Sequence, residues 1–107
     1  MTTPARSAVA AMLALAAAGA SAQESADALR ARSLAATCAA CHGTDGRATA
    51  GAALPGLAGM PAPYLAEQMK AFKSGARAGT LMPQLAKGYS EAQIEQLAAW
   101  FAKAGTK

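Results

Sequence analysis

Histidine and cysteine are nearly absent from this 107-residue chain: it has one histidine and two cysteines, and all three fall between residues 38 and 42. No second Cys or His pair exists to complete a four-ligand zinc site. Aromatic residues make up 5% and charged residues 15% of the sequence. The lack of a clustered basic run interleaved with aromatics argues against a dedicated nucleic-acid surface. Nor is there a competing strand signal, an internal repeat or a low-complexity linker. Large apolar side chains are scarce too, because the 53% hydrophobic fraction is inflated by alanine. A domain of this size and composition is marginal unless a disulfide, a metal or a cofactor adds to its core.

The N-terminus reads as an address label. Arg6 gives a positive start, Ala8 to Ala18 is an unbroken run of Ala, Val, Met and Leu, and Ala20-Ser21-Ala22 offers the small residues a signal peptidase reads. Residues 1–22 are therefore expected to be a secretory signal, with one domain over residues 23–107. The apolar run is shorter than the roughly 20 residues a spanning helix needs. No other segment qualifies, so no transmembrane segment is expected after cleavage. Ten Lys and Arg stand against six Asp and Glu, and removal of Arg6 leaves a mild positive balance.

Within the domain the pattern is helical, punctuated by Gly and Pro. Ser25 to Cys41 contains neither and is rich in Ala, Leu and Arg, which predicts a helix ending near His42 and Gly43. Asp45-Gly46 marks a turn, and residues 51–63 are too broken for regular structure. Tyr64 to Ser74 places Leu65, Met69 and Phe72 at helical spacing, with Gly75 as its cap. From Ala76 to Tyr89 the pattern is lost. Ser90 then starts a last helix with Gln93 in capping-box position and a stripe of Ile94, Leu97, Ala98 and Phe101.

On a helix, Cys38, Cys41 and His42 stand at i, i+3 and i+4 and project from one face within a single turn. Two thiols can then add across the vinyl groups on one side of a haem while the imidazole ligates its iron. The spacing C-x-x-C-H is the attachment signature of a c-type haem. A disulfide or thioredoxin-like pair would leave His42 without a role and lacks a βαβ setting. A haem also answers the core deficit, and its attachment on the far side of the inner membrane agrees with an export signal, making a periplasmic location the expectation.

The stretches "ARSLAATCAACHG", "LPGLAGMPAPYLAEQMKAFKSGAR" and "LMPQLAKGYSEAQIEQLAAWFA" together resemble the class I cytochromes c, small bacterial monohaem type, and most nearly the cytochrome subunit of flavocytochrome c sulfide dehydrogenase. The resemblance implies an all-α class I cytochrome c fold, with three or more short helices wrapped around one covalently bound haem c. It implies His42 and Met82 as the two axial metal ligands. Met82 precedes Pro83 and the last helix, as the family's ligand does; Met60 lies on the approach to the second helix, and Met69 falls on that helix's apolar stripe. Pro55 matches the proline whose carbonyl accepts the Nδ1 proton of the axial histidine. Leu57 is expected on the haem face, Arg77 either beside a propionate or in solvent, and Trp100 and Phe101 in packing between the terminal helices. With both axial positions filled the implied function is electron transfer rather than catalysis. The implied partner is a redox protein, either a flavoprotein sulfide dehydrogenase subunit or, for a free-standing carrier, a terminal oxidase. A haem enzyme or gas sensor with a labile sixth ligand is the competing class.

Overall fold

A computed structural model describes residues 4–106. The outer ends of the expected signal and domain, residues 1–3 and 107, lie outside the described residues. The described elements are α1 (Pro4–Ala36), α2 (Ala39–His42), a 3₁₀ turn at Thr44–Gly46, α3 (Ala62–Ser74), α4 (Met82–Ala86) and α5 (Glu91–Ala104), with no strand among them. The chain divides into two units, residues up to 30 and residues from 31 onward. In the first unit α1 exposes Val9, Met12, Leu13 and Leu15. Among the described residues no helix is long and apolar enough to cross a membrane.

In the second unit α3 packs on both α4 and α5. The stripe of α5 is buried as its spacing requires: Ile94 is fully covered, and Leu97, Ala98 and Phe101 nearly so. They meet Leu65 and Ala66 of α3 and Ala35 of α1. Only Leu65, Ile94, Leu97 and Phe101 among the buried core side chains are large; the others are alanines. A large aliphatic or aromatic side chain contributes about 1.5–3 kcal/mol on full burial, so this core is lean, as the composition suggests.

The helix ends follow local chemistry. Ser90 Oγ accepts from the amide of Gln93 at 3.2 Å, and Gln93 Oε1 accepts from the amide of Ser90 at 2.8 Å. This reciprocal cap satisfies two amides that α5 cannot pair internally and stabilises it by about 1 kcal/mol. Pro63 stands in the first turn of α3, where its missing N–H is no loss, and Gly75 ends the helix in the left-handed conformation with φ 85°.

Two elements differ from the sequence expectation. The helix predicted over residues 25–41 is interrupted at Thr37 and Cys38, so the motif occupies a turn of its own, α2. Thr37 Oγ1 donates to the carbonyl of Leu34 at 2.7 Å and accepts from the hydroxyl of Tyr89, which lies 2.8 Å away. A distant side chain thus helps to end α1 where the local sequence would let it continue. The second difference is α4, inside the stretch where no pattern is visible. Pro83 in its first turn is the one helix signal there.

Candidate functional site

The C-x-x-C-H residues keep their relation as one turn despite the break in α1. Cys38 has αR dihedrals (φ −88°, ψ −13°). Its carbonyl accepts from the amides of Cys41 at 3.3 Å and His42 at 3.0 Å. Cys38 is half-buried and Cys41 is exposed. Burial pushes the Cys38 thiol above its ordinary pKa, an effect opposed by the Thr37 hydroxyl beside it.

Beyond His42 the chain must turn sharply. At Gly43, φ is +84° and a Cβ would lie 2.2 Å from the carbonyl oxygen of Arg47, so no side chain can stand there. The turn ends at Gly46, which is buried. Its carbonyl accepts from the amides of Leu57 at 2.8 Å and Ala58 at 3.1 Å, and Gly59 donates to the carbonyl of Phe101 at 2.9 Å. These bonds fasten the loop before α3 to both the turn and α5.

So held, the loop brings the carbonyl of Pro55 to 2.7 Å from His42 Nδ1. A carbonyl can only accept, so Nδ1 carries the proton and the Nε2 lone pair is left for a metal. Such a bond fixes ring orientation and raises the basicity of a ligating imidazole.

Cys38, Cys41 and His42 form part of the wall of a cavity of about 540 Å³, within the range of small-molecule and cofactor sites. Leu57, Leu65, Leu97 and Phe101 supply apolar wall, so the faces that close the core also line the hollow. Met60, Met69 and Met82 all line it. They differ in what else they touch: Met60 and Met69 pack against the buried core cluster, whereas Met82 is half-buried at the start of α4 and outside that cluster. Among the described residues no group of three or more His, Cys, Asp or Glu could hold a metal ion. Two thiols and an oriented imidazole on one turn, apolar walls and a thioether suit the attachment and enclosure of a haem.

Each sequence-predicted site residue, Cys38, Cys41, His42, Pro55, Leu57 and Met82, lines this one cavity. Arg77 lines it too, but its guanidinium is engaged by the protein: Nη1 donates to Gln68 Oε1 at 2.6 Å, and Cζ lies 4.5 Å from the centre of the Phe72 ring. Trp100 is half-buried against the core and Phe101 is within it. Sequence reasoning missed Gln68, gave Phe72 a helix stripe but no place at the cavity, and missed the Thr37–Tyr89 hydrogen bond. Nothing in the residue pattern announces the latter, because its partners are 52 positions apart.

The helices and their C-x-x-C-H turn, set against an apolar cavity, define a small all-α haem protein. The family model described as "Cytochrome c" matches residues 28–104, and the chain belongs to that family, with the class I fold. Membership brings haem c and electron transfer as the general function. The chain is 45% identical over 69 residues to a "Thiosulfate dehydrogenase electron acceptor" of Thiomonas intermedia, a match covering 64% of this chain and 32% of that one. It is 43% identical over 68 residues to "Cytochrome c-554(548)" of Halomonas halodenitrificans, covering 61% and 81%. Against the "Cytochrome subunit of sulfide dehydrogenase" of Chlorobaculum tepidum it is 35% identical over 71 residues, covering 66% and 63%. The chain thus spans about a third of the length of the first of these relatives.

Proposed function

We propose that this protein is a periplasmic electron carrier holding one haem c, bound covalently through Cys38 and Cys41, with His42 and Met82 as axial ligands. Removal of residues 1–22 as a signal would precede loading. The observation that carries the reading is the 2.7 Å contact between His42 Nδ1 and the Pro55 carbonyl, which turns Nε2 into the free donor. When bound, the haem supplies a one-electron couple whose potential Met/His ligation raises above that of His alone. The chain's own part is to orient: Gly46 holds the loop that presents Pro55, Pro55 holds the imidazole, and Leu57, Leu65, Leu97 and Phe101 keep water from the cavity walls. With no vacant ligand position the protein carries electrons and is not itself an enzyme.

Two of the relatives bear names that tie them to the oxidation of inorganic sulfur compounds. The donor proposed here is accordingly a sulfur-oxidising dehydrogenase, with a flavoprotein sulfide dehydrogenase as the first candidate. Leu81 and Leu85, 62% and 51% exposed at the cavity rim, are the side chains offered to it. The likeness to "Cytochrome c-554(548)", over 81% of that protein's length, supports a second reading, a free-standing carrier that passes electrons to a terminal oxidase.

Reduction of the ferric protein by a sulfide dehydrogenase flavoprotein and sulfide, followed across a salt series, distinguishes these. A stably bound subunit is reduced and stays bound in high salt. A transient carrier is reduced at a rate that falls with ionic strength. Failure of sulfide reduction, together with rapid oxidation of the ferrous form by a terminal oxidase, favours the second reading. Fast carbon monoxide binding to the reduced protein at neutral pH would instead indicate a labile sixth ligand and sink both.

A further inference from the structure

We infer that Arg77 is a positioning residue for the sixth ligand: by closing the segment 75–83 over the Phe72 ring it holds Met82 at the cavity. This rests on the reading of Met82 as a ligand. The segment leaves α3 at Gly75, whose amide donates to the carbonyl of Phe72 at 3.3 Å, and the amide of Arg77 returns to the carbonyl of Ala71 at 3.0 Å. Among the described residues, no backbone hydrogen bond involves positions 78–80. This stretch, which leads directly into Met82, is thus without a backbone ladder of its own.

Arg77 ties its start to α3 in two ways, through its hydrogen bond to Gln68 and through the placement of its guanidinium over Phe72. A planar cation can make both contacts at once, a stacking role that lysine fills poorly. On the return path, a Cβ placed on Gly79 would lie 3.2 Å from Phe72 Cε1 and 3.2 Å from Pro83 Cδ. The backbone at 79 thus passes close to the Phe72 ring and to Pro83, the residue after Met82. The ring thus has Arg77 over it and Gly79 beside it, and Gly79 in turn lies close to Pro83. Phe72, Arg77, Gly79 and Met82 all line the cavity, so slackening this clasp frees the thioether without disturbing the His42 turn.

The test is capture of imidazole by the ferric, haem-loaded protein, whose rate reports how often Met82 leaves the iron. Arg77→Leu removes a cation–π contact and a charge-assisted hydrogen bond, and capture should be about tenfold faster. Arg77→Lys should fall between the variant and the wild type, and serves if Arg77→Leu does not fold. Lys70→Met breaks an ion pair between α3 and α5 instead and should leave the rate unchanged. Equal acceleration by Lys70→Met would mean that general loosening is responsible, and the inference fails. If Met82→Ala accelerates capture and Arg77→Leu does not, the clasp is refuted while the ligand assignment stands. If Met82→Ala changes neither capture nor the thioether-to-iron charge-transfer band, the ligand assignment falls and the clasp with it.

Discussion

Replacing Gly46 by alanine should weaken the domain about twice as much as replacing Gly51. Both residues have positive φ, +73° and +79°, so both substitutions pay for a left-handed alanine, about 1–2 kcal/mol. Around Gly51 nothing lies within 4 Å of the added methyl. At Gly46 the methyl would lie 2.8 Å from Phe101 Cδ1, 3.0 Å from the amide nitrogen of Ala58 and 3.0 Å from Leu57 Cβ. Phe101 is 3% exposed and cannot swing into solvent, and the Ala58 contact is backbone, so the crowding must move the loop. Overpacking of this kind costs a further 1–3 kcal/mol or so, giving about 2–5 kcal/mol in total for Gly46→Ala. In a domain of this size that is a fall in melting temperature on the order of 10–40 °C. Urea titration of the haem-loaded protein, followed by far-UV circular dichroism, measures both variants. A Gly46→Ala loss no greater than that of Gly51→Ala would refute the claim that this close approach fastens the Pro55 loop.

Met82→Ala should abolish the thioether-to-iron charge-transfer band, whereas Met60→Ala should retain it and lose about 1–2 kcal/mol in denaturation, because Met60 packs on the core. Pro55→Ala should leave the histidine environment nearly unchanged in NMR spectra, since the accepting atom is a backbone carbonyl, and should cost only about 0.4–1 kcal/mol through added freedom of the unfolded chain. Thr37→Val and Tyr89→Phe should each lose about 1 kcal/mol, and the double variant little more than either, giving a coupling that a double-mutant cycle would read. Lys70 has its pKa raised first by the hydrogen bond it donates to Glu95 and further by the charges of Glu95 and Glu91. A pKa raised on folding gives stability that is present at neutral pH and is lost as pH rises through the folded value. Lys70→Met should therefore flatten the alkaline limb of a stability–pH profile.

What could be read in advance depended on whether the cause was local. The stripe from Ile94 to Phe101 and the Ser90–Gln93 cap are settled within one helix, and both stand in the structure where the spacing puts them. The break at Thr37 was not legible, because Ser25 to Cys41 contains neither Gly nor Pro and the hydroxyl that helps end α1 comes from Tyr89. Five-residue α4 is too short to show a period, leaving Pro83 as its single sign. In the site, the three motif residues declare themselves by spacing alone. Pro55 does not: its part is played by a carbonyl oxygen, which every residue has, so only the family likeness pointed to it. Arg77 lay beyond either route. The sequence left it between propionate and solvent, while its Gln68 and Phe72 contacts exist only because α3 continues through both positions and Gly75 then turns the chain back.

The central claim, one haem joined to Cys38 and Cys41, is tested most directly by acid-acetone extraction and mass spectrometry of the protein made in a host with working haem-attachment machinery. The account predicts that the haem absorbance stays with the denatured polypeptide, that the mass equals residues 23–107 plus one haem, and that replacing both cysteines by alanine releases the pigment. Haem that extracts freely from the wild-type chain, or a mass without it, would contradict the account.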